Sequence, residues 1–192
     1  MDLFEKICIQ IGVKELMKLY VTRHGQTQWN QDNLICGVSD IELNENGIQQ
    51  ARQLASSLKE YSINEIYSSP LIRARTTAEI VSKELQIPVM IDQRLFEQDY
   101  GIYEGTLRGT EEFLELKKQF AYTGANNESL FHIAQRVYNF LDDIKEKCRD
   151  KNVLVVSHGG ICRVINTYFN SMTNEEFLKF NHPNCSLMVF DL

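Results

Sequence analysis

The tightest constraint on the fold is a pair of apolar runs that end the same way. Leu19-Tyr20-Val21-Thr22 passes into Arg23-His24-Gly25, and Val153-Leu154-Val155-Val156 passes through Ser157 into His158-Gly159-Gly160. Short runs of this kind suit strands buried on both faces, as the inner strands of a parallel sheet are. In α/β sheets, ligands gather outside the carboxyl ends of the strands. The two runs therefore deliver two imidazoles and a guanidinium to the edge where such a fold does its chemistry. The glycine after each histidine lets backbone come close to a bound group.

Between and beyond these runs, helical and strand patterns alternate. Ile48, Ala51, Leu54, Ala55 and Leu58 predict a helix over about 45–60, with Asn44 as its N-cap. Residues 63–68 read as a second strand. Pro70 suits the first turn of the next helix, which carries Arg73 and Arg75 and buries Leu71, Ala74, Ala78, Val81 and Leu85. Val89 to Ile91 reads as a third strand, residues 111–119 as a short helix and 128–148 as a long one. Gly160 to Phe169 continues helical, Thr173 or Asn174 caps a last short helix, and Ser186 to Phe190 is the last strand. Residues 28–44 and 92–110 read as irregular. Strands alternating with helices predict an α/β sheet covered by helices on both faces. Residues 1–16 carry no motif and read as an N-terminal extension, leaving 17–192 as a single domain.

Composition narrows the function. Acidic residues outnumber basic ones 26 to 20, for a net charge of -6. That balance argues against a general nucleic-acid or anionic-membrane surface, so an anion site must be a local basic pocket. No apolar run approaches the ~20 residues of a membrane span. Five scattered cysteines, Cys8, Cys36, Cys148, Cys162 and Cys185, form no CxxC pair. They read as reduced thiols of a cytoplasmic protein rather than as a metal site.

The polar candidates divide by context. His132, in a helix, and His182, before Pro183, read as ordinary structural positions. His24 and His158 end strands. Arg73 follows the strand end Tyr67-Ser68-Ser69, and Glu97 and Glu104 flank an irregular loop. Two imidazoles, two guanidiniums and a carboxyl suit phosphoryl transfer. Planar guanidiniums match the charged equatorial oxygens of a moving phosphoryl group, and a neutral imidazole can attack phosphorus. The chain has neither a phosphate-binding glycine loop with Lys-Ser/Thr nor an acidic cluster for two metal ions. The expected chemistry is therefore metal-free and cofactor-free, through a phosphohistidine.

The same residues resemble the histidine phosphatase superfamily, also called phosphoglycerate mutase-like, over nearly all of 18–192. The motifs are Arg23-His24-Gly25-Gln26-Thr27 with Asn30, and Ser68-Ser69-Pro70-Leu71-x-Arg73-Ala74 with Thr77-Ala78. They continue with Leu95-x-Glu97, Gly101 and Glu104-Gly105, then Val156-Ser157-His158-Gly159-Gly160, and close on Asn184-Cys185-Ser186. The resemblance implies a mostly parallel three-layer α/β/α fold with a lid-like, substrate-covering insertion at about 100–130. It implies His24 as nucleophile, Glu97 as proton donor and then base for water, and Arg23, Arg73 and His158 as the phosphate pocket. Gln26, Thr27, Asn30, Gly37 and the Gly159 N–H are implied as further substrate contacts. Gln26 stands where many relatives carry Glu.

The expected activity is hydrolysis of small phosphorylated metabolites. A cofactor-dependent phosphoglycerate mutase is the alternative, and a non-catalytic phosphate-binding module the third reading. Within 106–130 only Arg108, Lys117 and Lys118 are basic, against the longer, arginine-paired insertion of the mutases. These three are candidates for meeting a second anionic group on the substrate, and Tyr100, Tyr103, Phe113, Phe120 and Tyr122 for enclosing the leaving group. The sequence leaves the oligomeric state open, a homodimer included.

Overall fold

The computed structural model describes residues 17–192; the 1–16 extension and Cys8 lie outside the described residues. Five strands form one sheet: β1 (Lys18–Arg23), β2 (Glu65–Ser68), β3 (Val89–Ile91), β4 (Val153–Ser157) and β5 (Leu187–Asp191), in the order β3-β2-β4-β1-β5. All neighbours are parallel except the edge pair β1–β5. The central strand β4 is buried at every position, as its unbroken apolar sequence requires.

Alternation along the strands feeds two cores. Leu19, Val21, Val153 and Val155 face one side, where they meet Ile133, Val137, Phe140, Leu141 and Ile144 of helix α5 (Leu130–Lys147) and Ile161, Val164 and Ile165 of α6 (Gly159–Phe169). Tyr20, Ile66, Leu154 and Val156 face the other side, against α2 (Glu45–Ser57) and α3 (Ile72–Leu85). The architecture is thus the expected α/β/α sandwich. Three further helices are short: α1 (Gln28–Gln31), α4 (Glu111–Lys117) and α7 (Asn174–Lys179).

The differences from the sequence reading are local. Residues 28–44 are not all loop, because Thr27 and Asn30 close a capping box that winds α1. The second strand starts at Glu65, and the last at Leu187. Pro70 lies outside the helix it was assigned to. Leu71 is the extended N-cap, and Asp40 from a distant loop accepts the Ile72 N–H at 2.6 Å. The stretch 92–110 contains two short 3₁₀ turns, Gln93–Leu95 and Gly101–Tyr103. Residues 100–130 carry a small core of their own, in which Tyr100, Phe113 and Leu116 pack with Ile35. They are tied down by Ile35 N–H to Thr106 O and Gly105 N–H to Ile35 O, at 2.8 and 2.9 Å.

Among the described residues the four cysteines are free, and no helix is long and apolar enough to cross a membrane. Phe140 is fully buried, edge-on to Tyr67 and covered by the Arg94 guanidinium. Truncation to Phe140→Ala should cost about 3–5 kcal/mol. Urea unfolding should show it as a lower midpoint at unchanged slope; a loss below about 1 kcal/mol would mean that α5 does not anchor this core.

Candidate active site

Register builds the site. Arg23 on β1 lies opposite Ser157 on β4, and the His24 N–H donates to Ser157 O at 2.9 Å. The residues after each strand end, His24 and His158, therefore emerge together, with ring centroids 5.2 Å apart. On the other flank of β4, Ser68 pairs with Val156, and the next N–H, that of Ser69, donates to Val156 O at 3.1 Å. This brings Ser69, and α3 behind it, to the same edge. Gly25 is packed so closely on the first turn of α2 that a Cβ there would lie 2.3 Å from Gly47 O.

The tautomer of His24 is set by two neighbours. Nδ1 faces Gly25 O at 2.6 Å, and a carbonyl can only accept, so Nδ1 carries the proton. Nε2 accepts from Arg73 Nε–H at 3.2 Å, so its lone pair is free of a proton. The other guanidinium nitrogens of Arg73 donate to Ser39 O (2.8 Å) and Gly37 O (2.6 Å), and Arg73 is completely buried. Burial, then Arg73 and Arg23, hold the His24 pKa well below its usual value. His158 is pushed the same way by burial and Arg73. It is 0% exposed, and its Nε2 meets Ser69 Oγ at 2.7 Å. The direction of that bond follows the tautomer of His158, whose buried Nδ1 has no partner.

Arg23 donates through Nη1 to His182 O at 3.1 Å, while its buried Nε is also without a partner. Its guanidinium lies against Gly159: a Cβ there would sit 3.6 Å from Arg23 Nε. Glu97, 6% exposed, accepts the Gly160 N–H at 3.0 Å and the Gln98 N–H at 2.9 Å. Its carboxyl group thus sits at the start of α6, with one oxygen on each of these N–H groups. Its backbone is held in turn. Arg136, paired with Glu128, donates to the carbonyls of Arg94, Phe96 and Glu97, and Ser157 Oγ donates to Leu95 O at 2.9 Å.

Several of these groups border a cavity of about 210 Å³. Of the residues expected from sequence, Arg23, His24, Asn30, Glu97 and Gly159 line it. Arg73 and His158 do not; they stand behind His24, fully buried. Gln26 and Thr27 are also outside the lining. The Gln26 side-chain oxygen accepts from Asn44 and Asn46, both at 3.0 Å, and Thr27 caps α1. Gly37 reaches the site only through its carbonyl on Arg73. Glu104, far along the chain, clamps the Val38 and Ser39 N–H groups at 2.8 Å and so holds the carbonyls that grip Arg73.

From 100–130 the cavity takes Tyr100, Arg108, Phe113 and Lys117. Lys118 instead pairs with Glu115, and Tyr122 is exposed. Residues 178–182 form a wall that the sequence reading missed, with His182 buried there rather than idle; His132 is exposed on α5. Arg163 was missed as well. Its signal was a cation inside the apolar run Ile161, Cys162, Val164 and Ile165, a turn of α6 that is buried on every side.

Because His24 Nε2 faces a donor, protonating it would bring two N–H groups head to head. Ring-nitrogen NMR of the ligand-free protein should show the neutral Nδ1–H form from pH 8 down through 6.5, with protonation only well below that. Arg73→Met should move the midpoint up, since it removes a nearby positive charge. A midpoint at or above 6.5 in the wild-type protein would contradict the assignment.

Known proteins sharpen the picture. The family model of the histidine phosphatase superfamily (branch 1) matches residues 19–192. A putative phosphoserine phosphatase 2 of Hydrogenobacter thermophilus is 33% identical over 181 residues, covering 90% of this chain and 88% of its own. A probable phosphoglycerate mutase of Escherichia fergusonii is 33% identical over 153 residues, 75% of this chain and 70% of its own. Among solved structures, phosphoserine phosphatase of Entamoeba histolytica in complex with 3-phosphoglyceric acid superposes with a TM-score of 0.77 at 29% identity, over 91% of this chain and 90% of that one. Since the match runs from the first strand of the sheet to the end of the last, this chain belongs to the histidine phosphatase superfamily.

Proposed function

We infer that this chain is a phosphoric monoester hydrolase that acts on small phosphorylated metabolites through a phosphohistidine at His24. The observation that carries the reading is the state of His24. It is a neutral imidazole, its Nδ1 proton fixed on Gly25 O and its Nε2 lone pair turned toward Arg73 beside a cationic cavity. The names of the relatives support the phosphatase class. Phosphoserine and 3-phosphoglyceric acid, which appear in those names, exemplify the substrate size.

In the first step the Nε2 lone pair attacks phosphorus, the ester P–O bond breaks, and Glu97 gives a proton to the leaving oxygen. A phosphoryl group on Nε2 would be met by Arg73 Nε–H, by the unpartnered Nε–H of Arg23 and, in its Nδ1–H tautomer, by His158. The Gly159 N–H adds the helix N-terminus as an anion donor. In the second step Glu97 takes a proton from water, the water oxygen attacks phosphorus, and the P–N bond breaks. Inorganic phosphate leaves and His24 returns neutral. Guanidinium and imidazole donors do the work that hard cations do in other phosphatases, and among the described residues Glu97 is the sole carboxyl lining the cavity.

Release of p-nitrophenol from p-nitrophenyl phosphate should survive exhaustive EDTA treatment, and His24→Ala should lower kcat roughly 10⁴-fold or more. Near-wild-type turnover in that variant would overturn the reading. Glu97→Gln should cost far more on alkyl phosphates than on p-nitrophenyl phosphate, whose phenolate leaves unaided. Equal losses would remove Glu97 from the proton-donor role. Interconversion of 2- and 3-phosphoglycerate without net phosphate release would favour the mutase alternative.

A further inference from the structure

The cavity holds more positive charge than one phosphoryl group needs. Besides Arg23, its lining includes Arg108, Lys117, Arg163 and Lys179, against the single carboxylate of Glu97. Lys179 pairs with Glu175 on its own helix. Arg23, Arg108, Lys117 and Arg163 belong to none of the ion pairs among the described residues.

Arg163 is the most telling. It is 7% exposed, and its Nη1 donates to Phe177 O at 3.2 Å while the guanidinium carbon stacks over the Phe177 ring at 4.7 Å. Its buried Nε has no partner. A guanidinium placed so deeply without an anion or a full set of acceptors is costly. Phe177 occupies one nitrogen and one face, which leaves the Nε–Nη2 edge. Two parallel N–H groups on one edge match the two oxygens of a carboxylate. Lys117, half-buried on α4, has its pKa pulled down to about 8 by burial and by Arg163 and Arg108. Arg108 is itself fixed by Nε–H to Leu34 O at 2.8 Å. These cations reach one cavity from α4, α6 and the loop before α4, close enough for Arg163 and Arg108 to act on Lys117.

We propose that Arg163, with Lys117 and Arg108, forms a second anion subsite that receives a carboxylate on the leaving group, making this chain selective for phosphomonoesters of small hydroxy acids. The proposal rests on the phosphatase reading for its use in turnover, but the subsite itself is a binding property. It differs from the sequence expectation in its centre: Arg163 on α6 replaces Lys118.

The test compares 3-phosphoglycerate with glycerol 3-phosphate, which replaces the carboxylate by a hydroxymethyl group. Wild-type kcat/KM should favour the carboxylate by about tenfold or more, mainly through KM, because a site built around a buried donor discriminates against a ligand that leaves it unpaired. Arg163→Met, which keeps the stack on Phe177, and Lys117→Met should each collapse that ratio toward one. The wild-type preference should also fall as pH rises through about 8, as Lys117 loses its proton, with Arg163, Arg108, Lys179 and Glu97 the charged groups around it.

The same two ligands, titrated by calorimetry into His24→Ala, read the subsite without turnover. A retained Kd ratio with no phosphate release by the wild-type protein would sink the phosphatase reading and uphold the subsite. A wild-type ratio near one, or one unchanged in both methionine variants, would overturn the subsite even if phosphate is released. Propane-1,3-diol bisphosphate, if preferred to 3-phosphoglycerate, would overturn the assignment of carboxylate.

Discussion

The register of β4 against its two parallel neighbours governs everything at the site. Arg23 lies opposite Ser157, and Ser68 opposite Val156, so three chain segments leave the sheet at one level. A slip of one residue would turn each following side chain to the other face. It would also bury polar groups against the Val137–Phe140 face of α5, or against α3. The two cores therefore enforce the alignment that the chemistry uses, and β4, buried along its whole length, transmits it to both flanks.

A second organising rule is the way positive charge is held. Each arginine of the site is gripped by backbone carbonyls: Arg73 by Gly37 and Ser39, Arg23 by His182, Arg108 by Leu34, Arg163 by Phe177. Among the arginines that pair with carboxylates, Arg94 with Asp92 and Arg136 with Glu128 brace the scaffold, and Arg75 pairs with Glu79 on the surface of α3. A carbonyl positions a guanidinium through its partial dipole but does not cancel the charge. The site thus keeps a strong local field inside a protein that is acidic overall, and the arginines stay available to anions.

Much of this was legible in the sequence, because strand ends and helix faces are local patterns. The apolar runs before His24 and His158 fixed both histidines at the sheet edge, and the periodicity of Ile133, Val137 and Phe140 fixed the face of α5. What escaped was set by contacts between distant segments. Pro70 is expelled from α3 because Asp40, 32 residues earlier, takes the first helical N–H. Gln26 lies two residues after His24, yet its side chain is claimed by Asn44 and Asn46 at the start of α2. His182 lacked any strand or glycine context, and only the return of β5 beside β1 carries it to Arg23. Arg163 was visible as a charge on an apolar face, but its neighbours Lys117 and Arg108 come from elsewhere in the chain.

The hydrogen bond from Arg73 to His24 Nε2 has a consequence for chemoselectivity. In the resting protein the Nε2 lone pair is already occupied by a weak acid. An incoming electrophile must release it, and does so most cheaply if it brings negatively charged oxygens that the guanidinium prefers to an imidazole nitrogen. Phosphate esters carry those oxygens. Neutral alkylating or acylating agents do not, and so meet a masked base. Discrimination between classes of electrophile is thus written into the ground state of the imidazole, before any contact with the rest of the ligand is made.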